Sequence, residues 1–231
     1  MYRLRLKFQK VDQLKFVSHL ELMRVMERTF RRLELPLKFT QGFNPHPKIS
    51  YAAPLSVGVS SDSEYVDVEL VEKVNIDQVI TDSANELPSG LKFLDGKYVE
   101  TKKSLMSITA YSTYAVQVKS DSLDEAFCKK QVESFLKQEE IMHTKLNKKK
   151  KEVTKNIREL ILDVQLLTIQ DEKLIFKMFL KTGSEGNIKP EVVLTHLDGF
   201  APFKMDLKSI RTHRLALFGD KDGKPVDILE M

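Results

Sequence analysis

The sequence predicts an α+β fold built from two ferredoxin-like (βαββαβ) units in tandem, residues 1–103 and 104–231. Three observations predict it. Residues Tyr2–Val11 alternate, with Leu4, Leu6 and Phe8 set against Arg3, Arg5 and Lys7, the period of a strand with one apolar face. Ser18-His19-Leu20-Glu21 is a capping box, in which the serine hydroxyl takes an orphan backbone N–H and the glutamate reaches back. The segments around it then fall in the order strand, helix, strand, strand, helix, strand, which is the ferredoxin-like sequence of elements.

Taken in order, Asp12-Gln13 turns the chain, and Val17 and Leu22 stand where a hydrophobic staple closes the helix entry. The helix runs to about Glu34, because Pro36 supplies no backbone donor. At ~100° per residue, His19, Met23, Met26 and Phe30 share one stripe, with Leu22 and Leu33 beside it. Arg24, Arg28, Arg31 and Arg32 gather on the other side. Leu37–Thr40 is a short strand, and Gln41-Gly42-Phe43-Asn44-Pro45-His46-Pro47-Lys48 is an irregular loop whose prolines exclude helix. After Ile49–Val59, Tyr65–Val71 alternates as a half-exposed strand. Ile76–Leu87 is a helix ended by Pro88 and Gly90, and Leu91–Val99 is a strand. The units join near Thr101–Ser107. In the second, Ala110–Lys119 is a strand, Leu123–Lys137 a helix and Ile141–Leu146 a strand before the Lys148–Lys151 run. Ile157–Leu167 and Lys173–Lys181 form a hairpin about Gln170-Asp171. Pro190–Leu197 is a helix opened by its proline, and Leu207–Leu217 is the last strand.

Composition narrows the function classes. The chain has 231 residues, of which 42% are hydrophobic and 30% charged, as in an ordinary globular protein. A single cysteine, Cys128, excludes an internal disulfide framework and a self-contained iron–sulfur cluster, and suits a reducing cytoplasm. No apolar run nears the ~20 residues that span a bilayer. The opening MYRLRLKFQK is too polar for a signal peptide, so a cytoplasmic location is expected. The motifs GxxxxGK(S/T), GxGxxG, HExxH and GxSxG are missing, and no cofactor or bound metal is expected.

Charge is unevenly laid out. Residues 1–60 hold 11 Lys/Arg against 4 Asp/Glu, whereas residues 61–140 hold 9 against 16. The basic start places Arg24, Arg28 and Arg31 on successive helical turns, where their forked guanidiniums suit phosphates. Phe43 and Tyr51 are candidates to stack on bases, and Asn44 to read a base edge. The candidate RNA or ligand site is therefore Ser18, His19, Arg24, Arg28, Arg31, Gln41, Gly42, Phe43, Asn44, Pro45, His46 and Lys48. His19 and His46 are also candidate acid–base or metal-binding groups, since histidine titrates near neutral pH. Lys148–Lys151 with Lys155 and Arg158 is a further positive patch, with a solvated loop as its simpler reading.

The string Leu14-Lys15-Phe16-Val17-Ser18-His19-Leu20-Glu21-Leu22-Met23-Arg24, with Glu27-Arg28, begins a longer pattern. It continues through Phe39–Ser50, which contains GFNPHPKIS, and Pro54–Val59. The pattern resembles the bacterial radical SAM-associated protein family of unknown function, densely over residues 1–72. Lys151–Asp163, Asn187–Leu194 and Ser209–Arg214 are weaker islands of it. Family members often carry Asp where this chain has Glu21, which keeps the charge and the cap. The resemblance implies a standalone member with a separately encoded radical SAM partner, in a setting of ribosomes and RNA processing. The leading expectation is a non-catalytic accessory protein that binds RNA and presents it to that enzyme. The alternatives are an enzyme using His19 and His46, and a protein scaffold docking through the acidic middle.

Overall fold

Alternation in the first ten residues produces β1 (Tyr2–Lys10) in a computed structural model that describes residues 2–101, 103–121, 124–147 and 149–231. Leu4, Leu6 and Phe8 lie at most 1% exposed on one face. After a tight turn at Asp12–Phe16, Ser18 caps α1 (His19–Arg32): its Oγ accepts from Glu21 N at 3.3 Å, and Glu21 Oε2 accepts from Ser18 N at 3.0 Å. Ser18→Ala is expected to cost about 1 kcal/mol. Thermal unfolding checks it, with a fall of roughly 2–4 °C for a chain of this size. The buried side of α1 is Leu22, Met26, Thr29 and Phe30, and Phe30 stacks on Phe93 with ring centroids 5.8 Å apart. Met23, expected on that stripe, is exposed instead. It sits about 100° round the helix from Leu22, past the edge of the contact with the sheet.

The later elements are β2 (Ile49–Tyr51), β3 (Ser60–Leu70), α2 (Ile76–Glu86), β4 (Leu91–Tyr98) and α3 (Leu105–Ile108). They continue as β5 (Thr109–Ser120), α4 (Glu125–Leu136), β6 (Met142–Leu146), β7 (Glu152–Asn156), β8 (Ile161–Gln170) and β9 (Lys173–Lys181). The chain ends with α5 (Pro190–Phe200), β10 (Met205–Lys221) and β11 (Lys224–Asp227). This is a mixed α+β fold with mostly antiparallel strand pairing. Residues 1–111 and 213–231 form one unit, and residues 112–212 form another.

In the first unit the strand order is β4-β1-β3, with β2 antiparallel on β3 and β10 parallel to it from its midpoint, through His213↔Ser60 and Arg214↔Ser61. One face of this sheet carries α1, α2 and the core around Phe8, Val66 and Phe93. The other is covered by α3 and residues after 213: Tyr65, Leu105, Ile108, Leu217, Ile228 and Leu229 bury together. That second small core explains why the unit runs past the expected boundary at 103/104. Arg5, which the alternation places opposite the core, is therefore fully buried, bidentate to Asp67 at 2.8 and 3.0 Å.

In the second unit the order is β10-β5-β9-β8. Val116, Val118, Cys128, Phe135, Phe176, Met178, Leu194 and Leu197 fill its core. Asp124 caps α4 through Phe127 N at 3.0 Å; the expected start at Leu123 lies outside the described residues, as do Lys102 and Lys148. The β8–β9 hairpin turns on Asp171 and Glu172, both at positive φ, one residue later than Gln170-Asp171. Strand β7 is an addition to the expected elements: among the described residues it pairs with β6 alone, and the two form a separate hairpin. Among the described residues, no helix is long and apolar enough to cross a membrane.

Candidate nucleic-acid interface

Residues 37–49 leave α1 and fold back on β3. Instead of the expected strand at Leu37–Thr40, isolated bridges pair Leu37 with Leu70 and Phe39 with Pro47, since the prolines remove donors a ladder needs. Lys38 N donates to Glu69 O at 2.8 Å, and Lys48 N to Lys38 O at 2.8 Å. The loop is closed where Thr40 N donates to His46 O at 2.8 Å and His46 N to Thr40 Oγ1 at 3.0 Å. Gly42 at φ +130° adopts a backbone that side chains resist. Above this closure Gln41, Gly42, Phe43, Asn44, Pro45 and His46 are all exposed, and the Phe43 ring is 107% exposed. Lys48 is held toward the stem by Glu69 at 3.6 Å.

The arginines divide into two kinds. Arg31 is bound to Glu27 at 2.8 Å and lies 5.5 Å from the Phe39 ring, which ties the helix to the start of the loop. Arg24 and Arg28 are exposed, and among the described residues neither makes an ion pair; Arg28 Nε donates to Arg24 O at 3.2 Å. Two successive turns thus present guanidiniums free for an anion.

His19 is placed differently from the loop. Its ring meets Tyr51 edge to face, with centroids 5.3 Å apart, in a small pocket with Lys10 and Glu64. Burial pushes its pKa down; the Glu64 charge opposes this and Lys10 adds to it. Burial also lowers the pKa of Lys10, whose Nζ donates to Val17 O at 2.7 Å. The Tyr51 hydroxyl is buried and its ring packs on His19, while the residue as a whole is half-buried. Among the described residues His19 and His46 share no partner, one packed on Tyr51 and the other in the exposed loop. Among the described residues, no group of three or more His, Cys, Asp or Glu is arranged to hold a metal.

The sequence reading missed Glu69, which gathers Arg3 at 3.4 Å, Lys38 at 3.8 Å and Lys48 at 3.6 Å. Arg3, Lys48 and Glu69, with Asp67, Thr40 and Pro47, line a cleft of about 320 Å3. Only the pairing of β3 with residues from three other segments reveals this, because nothing in local spacing marks Glu69. Also unmarked was His213, whose Nδ1 lies 2.8 Å from Ser60 Oγ and Nε2 2.8 Å from Asp62 Oδ2, stapling β10 to β3.

An α+β protein with a fixed, aromatic-tipped loop beside an arginine helix is the class that these features define. The chain belongs to the family described as "Uncharacterized protein conserved in bacteria (DUF2344)", whose model matches residues 3–190. No curated protein matches it. Its fold is similar to that of a chain in the "Crystal Structure of a Cbf5-Nop10-Gar1 Complex", at TM-score 0.52 and 12% identity, over 91% of this chain and 47% of that one. A chain in the "Crystal structure of the archaeal box H/ACA sRNP Nop10-Cbf5 complex" matches at TM-score 0.48 and 10% identity, over 91% of this chain and 46% of that one. This chain spans about half the length of the solved chains that it matches.

Proposed function

We propose that this protein is an RNA-binding accessory of a separately encoded radical SAM enzyme, presenting RNA to it for modification in the cytoplasm. It catalyses no step of its own in this reading. Phe43 carries the RNA half. A ring wholly in solvent contributes nothing to the core, yet its loop is held by two hydrogen bonds between Thr40 and His46. Such a ring is preorganised to stack on an unpaired base. Gln41, Asn44 and His46 surround it with hydrogen-bonding edges, and Arg24 and Arg28 supply phosphate contacts from α1. Ser18 shapes the helix entry, His19 packs beneath, and Lys48 fixes the stem. The enzyme partner rests on the resemblance of residues 1–72 to radical SAM-associated proteins. The strand orders also support reading both units as ferredoxin-like: β4-β1-β3 with β2 beyond, and β10-β5-β9-β8 with β6 and β7 inserted.

The sequence has no tryptophan, so Phe43→Trp introduces a single stacking fluorophore. Its emission is expected to be quenched by single-stranded RNA, and Phe43→Ala to weaken binding roughly 5- to 160-fold, the range for one base–aromatic stack. The melting temperature should not move. Unquenched emission together with wild-type affinity in Phe43→Ala overturns the base-stacking role. For the partner, the tagged protein recovered from its own host should bring a radical SAM enzyme and RNA with it; recovery without that enzyme overturns the accessory role.

A further inference from the structure

The β6–β7 hairpin is unused by the site above. Residues 142–156 carry six lysines against one acidic residue, Glu152, and contain no Phe, Tyr or Trp. Among the described residues, Lys145, Lys149, Lys150, Lys151 and Lys155 are all exposed and none forms an ion pair. Five exposed cations clustered about a single carboxylate, Glu152, make a strongly positive local field that attracts a polyanion.

The fold holds this charge out on a fixed arm. At its base Ile157 N donates to Ile141 O at 2.8 Å and Ile141 N to Asn156 Oδ1 at 3.0 Å. Arg158, grouped by sequence with the basic patch, is a clamp instead, donating to Leu136 O at 2.6 and 3.1 Å and to Ile161 O at 2.6 Å. His143 Nδ1 lies 3.1 Å from His196 Nε2, docking one face of the hairpin on α5. The tip is folded by Asn147, whose Oδ1 accepts from Lys149 N at 2.8 Å and Lys151 N at 3.1 Å. Lysines thus fan from a shaped turn.

We propose that the β6–β7 hairpin is a lysine arm that grips RNA phosphates without reading sequence; this rests on the RNA reading above. Lysine ammoniums act on phosphate as point charges, and the arm's one aromatic ring, His143, is packed edge-on against His196 with centroids 5.3 Å apart rather than set among the lysines as a platform for bases. The arm therefore supplies salt-sensitive affinity, and the Phe43 loop supplies base contact.

The test uses the full chain and two labelled single-stranded RNAs of unrelated sequence, titrated across salt. Replacing Lys145, Lys149, Lys151 and Lys155 together by Gln is expected to lower affinity about tenfold or more at ~50 mM salt, equally for both RNAs. The slope of log affinity against log salt should flatten by about 0.7 for each phosphate no longer neutralised. The same four changed to Arg should keep wild-type affinity and slope, which assigns the loss to charge. Thermal unfolding of both variants should match wild type. Wild-type binding with an unchanged Gln variant overturns the arm and leaves the RNA reading standing. No binding by wild type to either RNA at ~50 mM salt overturns both. Equal binding of wild type to polyglutamate or to phosphatidylserine vesicles overturns the choice of RNA as the occupant.

Discussion

Asp67→Ala is expected to destabilise the protein by about 3–5 kcal/mol, the cost of stranding a buried charge by removing its partner. Asp67 is 2% exposed and holds Arg5, itself 0% exposed, through two parallel bonds from Nε and Nη2 at 2.8 and 3.0 Å. The two residues stand directly opposite in the β1–β3 register. The remaining donor Nη1 reaches Ile228 O at 2.8 Å and Met231 O at 3.1 Å, so the same guanidinium holds the end of the chain over the sheet. Without the carboxylate, the buried guanidinium keeps only the Ile228 and Met231 oxygens against its charge. Melting should fall by roughly 10 °C or more. A double change, Arg5→Met with Asp67→Leu, should recover part of that loss: an apolar pair avoids desolvating two ions, but Ile228 O loses its donor. If Asp67→Ala melts within a degree of wild type, Arg5 and Asp67 do not form a buried ion pair.

That pair also shows where reading the sequence stops. Alternation of Leu4, Leu6 and Phe8 identifies β1 and its core face, and the Ser18–Glu21 spacing identifies the start of α1, because both signals are complete within a few residues. The fate of Arg5 is not local: it depends on Ile228 and Met231, more than two hundred positions away. The same limit hides Glu69, whose three cations come from residues 3, 38 and 48. Strand β7, Glu152–Asn156, escapes for another reason: only Val153 of its five residues is apolar, so it shows no strand period, and pairing with β6 alone makes it a strand. In the candidate site, the rigid character of Gly42 to Pro47 was legible from its prolines and glycine. The packing of Tyr51 on His19 was not, since it needs β2 laid beside α1.

Charge reversal at Arg24 and Arg28 should have the largest effect on function: the double change to Glu is expected to weaken RNA binding about a hundredfold at ~50 mM salt, where phosphate contacts dominate affinity. Both side chains are exposed and form no ion pair among the described residues; Arg24 acts on the fold through its field on Glu21, and Arg28 through its bond to Arg24 O at 3.2 Å. Two carboxylates one helical turn apart repel by a few tenths of a kcal/mol, and the second of them would face Arg32 at i+4, which offsets that cost. Unfolding should therefore stay within about 0.5 kcal/mol of wild type, as for other surface changes. The neutral variants separate the contacts. Arg24→Gln and Arg28→Gln should each flatten the salt slope by about 0.7. Arg31→Gln should flatten it less, because Glu27 at 2.8 Å already neutralises that guanidinium. An ordering in which Arg31 carries the steepest share would put the phosphate path along the Phe39 side of the helix instead. Wild-type affinity and slope in the doubly reversed variant would remove α1 from the interface altogether, leaving any RNA contact to the loop and the lysine arm.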